Sequence, residues 1–549
     1  MTAHSLSANY LKNRGSRSGI RLELLSKMKN SSRVKKSFQN VKVNLICFFV
    51  NLLVTFFSRS YLLNIFGTEF VGFTATIQSI LGFLNIAELG VGAAVAYHLY
   101  SPLYNDDRNQ IGEIVSVLGF FYRIIGLLIL TVGIIVSLFL PDIFTDVQFS
   151  KLILYLGFYS FLYNSMLGYF VNYRQTLLSA DQRNYEVTGL YQIITASKGL
   201  VQILSALYLE SIIAYFIIEI IFTTLFSVIL NIRINSIYIW LKTTVSSGRN
   251  LVKKYPNIGK KVKQIFIHKI GGFFQDQSLP MVIYAFVSLP MVALYTNYTT
   301  ISNSIKNMIS TLLSSTGASI GNLIAEGNTQ RIVAIYKQLF TVSSIIAGIV
   351  SLCFYELSNE FVANWIGPKY ELDKIVVALI SVQLFLSLFR MTTEQFINAF
   401  GLFGDIWAPI VESMLFIILA SLLGYFCGLK GILLGPILST TIIIHLWKPF
   451  YLFTRGLKLP FRIYIKMVVR CFMLLLISYL TSKYIADYMM ELVNNGEPTT
   501  WQYLIVHTLV FSLILTTIYI CLSFVFSVDI REFIYLYVFK YKKKNYNGH

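Results

Sequence analysis

The residues of this sequence with the clearest capacity for chemistry are charged side chains that stand inside long apolar stretches. Six of them are basic: Arg59, Arg123, Lys198, Lys269, Lys306 and Arg390. A charge near the centre of a bilayer costs about 2.5–3.5 kcal/mol on the insertion scale, so such a residue normally faces a protein interior or a water-filled cavity. Cations in a cavity of low dielectric constant attract anions strongly. The six residues therefore predict a cationic cavity that binds an anionic molecule.

Three acidic residues in the same stretches are candidates for ion coupling or gating. They are Glu88, Asp276 and Glu394. Glu88 precedes Gly90 and Gly92, and glycines permit a bend or a close helix contact. A carboxylate beside a bend either titrates during a conformational change or makes a structural hydrogen bond, and the sequence leaves both interpretations open.

Several of the basic residues also have a structural interpretation. Arg59 is near enough to the end of its stretch for the side chain to extend to the lipid headgroups. Arg123 and Lys269 fit the general excess of basic residues on the cytoplasmic side of membrane proteins. For these three residues, a place in the cavity and a place at the membrane surface are both compatible with the sequence.

Ion pairs are the main structural alternative for the more deeply placed residues. Lys306 has Asp276 at a similar depth on the preceding stretch, whereas Lys198 has no obvious local partner. Arg390 and Glu394 are four residues apart, which places them one above the other on a helix and predicts an intrahelical salt bridge. Lys198 is therefore the strongest candidate for an unneutralised cation.

Membrane-spanning helices must position these residues. The apolar stretches are long enough to cross a bilayer, which takes about 20 residues, and lipid offers no partners for backbone groups, so they must be helices. The sequence predicts an all-α integral membrane protein with about 14 transmembrane helices. The predicted spans are 41–63, 70–100, 112–140, 151–176, 185–208, 211–235, 266–288, 290–322, 331–356, 373–400, 406–427, 430–454, 462–488 and 501–527.

The composition agrees with a membrane location and argues against nucleic-acid binding. Hydrophobic residues make up 55% of the 549 residues and charged residues only 13%, against about 25% charged residues in a typical soluble domain. The net charge of +19 is spread over loops between apolar spans rather than over one face of a soluble domain. The five cysteines lie in apolar stretches without a CxxC pattern, so neither a disulfide framework nor a metal site is predicted.

The basic residues also indicate the orientation in the membrane. Residues 1–42 hold ten Lys/Arg and one acid, and the segments 236–265 and 448–470 are basic as well. The alternate loops are mainly acidic, and only five of the 45 Lys/Arg fall on that side. By the positive-inside rule, both termini are predicted to be cytoplasmic.

The spans are predicted to group into two six-helix lobes followed by two further helices. The segment 236–265 is either an interfacial amphipathic helix, built around 237–241, or a simple cytoplasmic linker. The predicted organisation is a basic N-terminal tail at 1–40, an N-lobe at 41–235, a linker at 236–265, a C-lobe at 266–457, two helices within 458–528 and a basic tail at 529–549.

An internal repeat at an offset of about 220 residues supports the two lobes. Residues 70–80 align with 291–301, and the loop Asp107–Ile111 resembles the loop Gly327–Ile332. Six helices separate the copies, so the lobes are predicted to share one orientation about a pseudo-symmetry axis along the membrane normal. Such an arrangement suggests alternating access around a central cavity.

Residues 59–107 (RSYLLNIFGTEFVGF…ILGFLNIAELGVGAAVAYHLYSPLYNDD) resemble the first-loop and second-helix signature of polysaccharide-biosynthesis flippases. These are the O-antigen and capsule repeat-unit transporters of the multidrug/oligosaccharidyl-lipid/polysaccharide exporter superfamily. Asp276 followed by residues 293–298 (ALYTNY) is also similar to that family. The resemblance extends over about 40–527.

The resemblance implies a flippase that moves an undecaprenyl-pyrophosphate-linked oligosaccharide from the inner to the outer leaflet of the bacterial inner membrane. The pyrophosphate suits the six basic residues. Membrane lipids, a polymerase and other polysaccharide-assembly proteins are the expected partners, with no cofactor and no nucleic acid. The sequence contains no glycine-rich phosphate loop that would indicate direct use of ATP.

Three other functions remain open on the sequence. A cation-coupled multidrug exporter of the same superfamily is expected to carry an acid in its first helix, and residues 41–63 contain none. A membrane glycosyltransferase or ligase needs catalytic acids on a sizeable external loop, and the external loops here are short. A non-transporting protein that kept the fold would have cavity charges neutralised by their neighbours.

Overall fold

The computed structural model describes residues 43, 46 and 49–535, except 89, 146, 315, 316, 403 and 494–499. Some side chains within the helices lie outside that description. They belong to residues 86, 87, 260, 261, 264, 265, 267–276, 311–314, 318, 493 and 534. All regular elements in the described part are helices. The predicted all-α fold is confirmed.

The described helices form two compact units. Unit 1 is built from residues up to Tyr61 and from Ala87–Ile265, and unit 2 from Leu62–Ile86 and from Phe266 onward. Unit 1 holds the first part of α1 (Phe49–Leu84), then α2 (Val91–Asn105), α3 (Arg108–Leu138), α4 (Leu140–Ile143), α5 (Lys151–Phe170), α6 (Gln175–Ala180), α7 (Asn184–Leu209), α8 (Ile212–Ile237), α9 (Gly248–Lys254) and the start of α10 (Pro256–Phe286).

Unit 2 holds the second part of α1, the remainder of α10 and all later helices. These are α11 (Leu289–Ser314), α12 (Gly317–Ala325), α13 (Thr329–Ile366), α14 (Lys374–Phe389), α15 (Met391–Phe400), α16 (Trp407–Thr440), α17 (Lys448–Tyr451), α18 (Arg462–Val493), α19 (Trp501–Phe526) and α20 (Val528–Ile534). Two π-helical segments, Thr441–Trp447 and Leu452–Leu457, flank α17.

The protein is a multi-pass membrane protein. Nine helical segments of the described part are long and apolar enough to cross a membrane. They include one segment of 51 residues, Trp407–Leu457, which covers two of the predicted spans. The described residues of each of the fourteen predicted spans are mainly helical.

The first two predicted spans are joined differently from the prediction. Residues 64–69, predicted to be a loop, are part of α1, but Gly67 among them has φ 81°, which is outside the helical range, so the helix is kinked there. A further break follows at the 3₁₀ turn Asn85–Glu88 and at Gly90. Gly90 has a φ of 93°, which glycine adopts without a steric penalty.

The second part of α1 belongs to unit 2 because it packs against the helices there. The Ser79 hydroxyl donates a hydrogen bond to the Gln277 backbone carbonyl. A Cβ atom at Gly72 would collide with the backbone of Leu289, so the absence of a side chain permits this close approach. Residues 62–86, which the predicted N-lobe includes, therefore group with unit 2.

The predicted turn between the eleventh and twelfth spans is present inside α16. Gly428 has φ 56° and ψ −139°, a conformation that only glycine adopts readily, and there the helix folds back on itself. A Cβ atom at Gly435 would lie 2.6 Å from the Ala420 nitrogen, which shows how closely the two arms pack. Small residues at these positions allow the backbones to approach.

The linker between α8 and α10 is not the interfacial helix that one interpretation placed at 237–241. These residues form the end of α8 and a turn, and the helix in this segment is α9. The linker is attached to α3 by a hydrogen bond from the Thr244 backbone N–H to the Ser116 hydroxyl at 2.9 Å, and by Lys254 and Tyr255, which both donate to Glu113. Burial, together with the Glu113 carboxylate, raises the pKa of Tyr255 to about 12.

Two features of the structure support the internal repeat. The Asp107 side chain accepts a hydrogen bond from the Gln110 backbone N–H at the start of α3, and the aligned Asn328 accepts one from Arg331 at the start of α13. These two residues are 221 positions apart, and each caps the helix that follows it.

We predict that Gly435→Ala lowers the thermal midpoint of the purified protein. The new methyl group would overlap the backbone of Ala420, and such overpacking typically costs about 1–3 kcal/mol. The matched control is Gly321→Ala in α12, where a Cβ atom meets nothing within 4 Å. The control is expected to hold or raise the midpoint, because Ala favours a helix over Gly by up to about 1 kcal/mol. Equal midpoints for the two variants would contradict this account of the α16 hairpin.

Candidate functional site

A pocket in unit 2 brings together three of the nine charged residues singled out in the sequence. It lies among α10, α11, α14, α15 and α16 and has a volume of about 400 Å3. Lys306, Arg390 and Glu394 all line it. The charges of these three sum to +1, and no other charged residue belongs to the described lining.

Helical spacing explains why these side chains share one pocket. On α11, the lining residues are Tyr295, Thr299, Ser302, Asn303, Lys306 and Ser310. Apart from the adjacent Ser302 and Asn303, they follow one another at steps of three or four residues, which places them on one face of the helix. The face from α14 to α15 is built in the same way, with Gln383, Ser387, Arg390, Met391 and Glu394.

Arg390 lies at the junction of α14 and α15 and pairs with Glu394. The Arg390 Nε and Glu394 Oε1 atoms are 3.4 Å apart, and the side chains are 30% and 40% exposed. This confirms the intrahelical salt bridge predicted from the spacing. Glu394 lies in the first turn of α15, where the helix dipole also favours a negative charge.

The rest of the lining is rich in hydroxyl and amide groups, which the sequence analysis did not select. Thr299, Ser302, Ser310, Ser387 and Thr440 supply hydroxyls, and Asn303 and Gln383 supply amides. The Gln383 amide donates to the Leu433 carbonyl at 3.1 Å, which fixes its orientation. A signal was present in the sequence, because 296–307 (TNYTTISNSIKN) is unusually polar for a membrane span.

This combination of groups suits a polar anion. Lysine and arginine supply positive charge, and the arginine guanidinium has a planar set of donors that matches phosphate oxygens. Hydroxyl and amide groups both donate and accept hydrogen bonds, as sugar hydroxyls do. The pocket therefore has the chemistry to bind a phosphate group together with an attached polar group such as a sugar.

Lys198, the strongest candidate from the sequence, has a partner in the structure. Its ammonium group lies 2.8 Å from Glu219 Oε1, and the Gln202 amide donates to Glu219 Oε2 at 3.2 Å. The Glu219 side chain is 4% exposed and that of Lys198 is 20% exposed. The expectation of an unneutralised Lys198 was therefore wrong. The partner was missed because it comes from α8, across the turn that follows α7, and not from within the same helix.

Glu88 in unit 1 is held by two tyrosines. The Tyr122 hydroxyl donates to Glu88 Oε1 at 2.7 Å, and the Tyr169 hydroxyl donates to Oε2 at 2.9 Å. Both tyrosines are buried, with rings 5.5 Å apart. Of the two interpretations that the sequence left open for Glu88, the structure shows the structural hydrogen bond. These two bonds fix the 3₁₀ turn after α1 against α3 and α5.

The remaining predicted residues are not brought into the unit 2 pocket. Arg59 lies on the first part of α1, close enough to Tyr215 of α8 for an electrostatic interaction. Arg123 is exposed on α3. The side chains of Lys269 and Asp276 lie outside the described residues, so their predicted roles, including the Lys306–Asp276 pair, stay predictions.

The fold is similar to that of known membrane transporters. No family model matches this chain, and no curated protein matches its sequence. Among solved structures, a lipid II flippase, MurJ, in an inward closed conformation aligns with a TM-score of 0.57 and 14% identity, over 89% of this chain and 99% of the other. An inward-facing multidrug resistance MATE family transporter of the MOP superfamily aligns with a TM-score of 0.55 and 13% identity, over 74% and 95%.

The chain has the fold of these transporters. Both matched proteins are named for moving a molecule across a membrane and neither for an enzymatic reaction. This fold is the one that the resemblance noted in the sequence implies, since the matched MATE transporter is named as a member of the MOP superfamily.

We predict that Glu219→Gln destabilises the protein strongly. The substitution leaves the Lys198 ammonium without a counter-charge, and removing one member of a buried ion pair typically costs about 3–5 kcal/mol. The double variant Lys198→Met/Glu219→Gln should recover most of the thermal midpoint, because it removes both charges. Glu326→Gln is the control, since its pair with Arg331 is exposed and should contribute little. A double variant no more stable than Glu219→Gln alone would contradict this pairing.

Proposed function

We propose that this protein is a flippase for an undecaprenyl-pyrophosphate-linked oligosaccharide repeat unit. It would move this lipid across the bacterial inner membrane by alternating access, in the biosynthesis of a surface polysaccharide such as O-antigen or capsule. The observation that carries the proposal is the unit 2 pocket, where Lys306 and Arg390 stand among hydroxyl and amide groups.

Each chemical class of group in the pocket corresponds to a part of the proposed substrate. Lys306 and Arg390 are assigned to the pyrophosphate, because positive groups in a site of low dielectric constant stabilise a concentrated negative charge. The hydroxyls of Thr299, Ser302 and Ser387 are assigned to the sugar nearest the pyrophosphate. The fold supports a lipid substrate, since the matched flippase is by its title a lipid II flippase.

The other predicted residues take more limited roles in the proposal. Arg59, Arg123 and Lys269 are retained as candidate cations along the substrate path, while Lys198 is assigned a structural role because Glu219 neutralises it. Glu88 and Asp276 are retained as candidate sites of ion coupling.

Multidrug export is the alternative, and the similarity to a MATE transporter favours it. The charge of the pocket argues against it, because a net positive lining repels cationic drugs. Residues 41–63 also lack the acid expected in the first helix of such an exporter. Transport of a cationic dye by the purified protein would therefore favour the alternative.

The proposed location places both termini in the cytoplasm. The basic residues of α9 and its flanks, including Arg249, Lys253 and Lys254, are exposed. The same assignment places Asp373 on the opposite side of the membrane. Asp373 pairs with Lys430 at 2.5 Å, and this ion pair lowers the pKa of Asp373. A polymerase and other assembly proteins are the proposed partners.

We expect Lys306→Ala and Arg390→Ala each to reduce flipping of a fluorescent undecaprenyl-pyrophosphate oligosaccharide at least tenfold, since each removes a charge-assisted contact worth about 1.5–3 kcal/mol. The assay follows fluorophore exposure in proteoliposomes. Lys466→Ala is the matched control, because Lys466 is an exposed lysine of unit 2 outside the pocket lining.

The possible outcomes test the proposed function and the proposed binding site separately. Flipping by the wild type that survives in both pocket variants would overturn the site assignment and leave the flippase proposal standing. A wild type that moves none of several lipid-linked oligosaccharides, even with an imposed ion gradient, would overturn the function itself.

We predict opposite results for reporters placed in two loops. A green fluorescent protein fusion truncated after Lys254 should fluoresce, and an alkaline phosphatase fusion there should be inactive, because basic segments stay in the cytoplasm. Fusions after Tyr370, in the short segment between α13 and α14, should behave in the reverse way. The same pattern at both positions would contradict the proposed orientation.

A further inference from the structure

Arg390 already has an anion beside it within the chain. The Glu394 carboxylate lies 3.4 Å from the guanidinium, on the same face of the same helical segment, and both side chains line the pocket. A guanidinium carries five N–H donors. The contact with Glu394 is made by the Nε atom.

The pair has a consequence for how strongly the pocket holds an anion. Lys306 and Arg390 contribute two positive charges, and Glu394 removes one. A carboxylate within reach of Arg390 competes with any phosphate for the same donors. The pocket is therefore built to bind an anion less tightly than its two cations alone would allow.

Weakened binding is useful to a protein that must release what it binds. Conduction and transport both require a site that is favourable enough to enter and weak enough to leave. Taking an anion away from a cation in a site of low dielectric constant is also costly. An internal carboxylate that returns to the arginine as the substrate departs removes that cost.

We propose that Glu394 is an exchangeable counter-ion for Arg390, which yields the guanidinium to a substrate phosphate and takes it back on release. This inference rests on the proposed function for the identity of the phosphate, which is that of a lipid-linked pyrophosphate. It makes Glu394 a positioning residue that sets affinity and release.

The steps follow from the geometry. In the empty pocket, Glu394 occupies Arg390 and Lys306 is the second cation of the lining. An arriving pyrophosphate contacts Lys306 and displaces Glu394 from Arg390. The carboxylate, which is 40% exposed, can turn toward solvent without a helix having to move. When the substrate leaves, Glu394 pairs with Arg390 again and opposes rebinding.

Two measurements on Glu394→Gln test the proposal. The first is equilibrium binding of inorganic pyrophosphate and, separately, of a short-chain polyprenyl pyrophosphate-linked sugar, to full-length protein in detergent. The second is the rate of flipping of a fluorescent undecaprenyl-pyrophosphate oligosaccharide at saturating substrate. Nanodiscs with and without phosphatidylglycerol reveal whether a phospholipid headgroup competes for the same site. Glu326→Gln is the control, because Glu326 is an exposed acid of unit 2 outside the pocket lining.

We expect Glu394→Gln to bind both pyrophosphates about tenfold more tightly, a change that corresponds to losing one competing charge. We also expect its flipping rate at saturation to fall, because release slows. Glu394→Asp, which keeps the charge on a shorter side chain, should lie between the wild type and Glu394→Gln in both measurements. A residue with a merely structural role would lower affinity and rate together.

Unchanged or weaker pyrophosphate binding by Glu394→Gln, with the protein folded as judged by its thermal midpoint, would overturn the proposal. So would tighter binding accompanied by an unchanged flipping rate. If the wild type binds pyrophosphate and Glu394→Gln binds it more tightly, but neither flips any lipid, the counter-ion role of Glu394 stands and the proposed function is wrong. If the wild type binds no pyrophosphate, both the counter-ion role of Glu394 and the proposed function are wrong.

Discussion

The organisation of this protein depends on the high cost of leaving a charge unpaired in lipid. Each charged side chain within a span must be neutralised by a neighbour, reach the membrane surface or face a polar cavity. The two units meet this requirement in different ways. In unit 1, Lys198 and Glu219 form a buried pair that a third polar residue, Gln202, completes. In unit 2, Lys306 and Arg390 face a pocket whose described lining contains one carboxylate, that of Glu394.

The difference between these two clusters distinguishes structure from function. A neutral pair within the helix packing joins α7 to α8 and offers no net charge to a ligand. A lining with an excess of positive charge, together with hydroxyls and amides, is an incomplete set of interactions that a ligand would complete. For that reason the pocket, and not the more deeply buried lysine, carries the functional proposal.

The helices are shaped by small residues and by local breaks as much as by their apolar surfaces. Gly428 folds α16 into two arms, and Gly435 lets those arms approach at Ala420. The α14–α15 junction lies at Arg390, so the residue that binds the proposed anion also marks a change of helix. At the end of α1, Glu88 and two tyrosines hold a 3₁₀ turn in place. Each break thus sets the direction of a helix that lines or supports a site.

The sequence by itself determined the class of the protein, because hydropathy and span length depend only on local composition. It also predicted the Arg390–Glu394 pair, since an i,i+4 spacing on a helix is a local geometric fact. Only the tertiary structure decided which charges are neutralised across helices and which share a pocket. Glu219 reaches Lys198 from another helix, and residues 62–86 group with the helices of unit 2. Such contacts depend on how distant segments pack, and a single sequence carries no direct record of that packing.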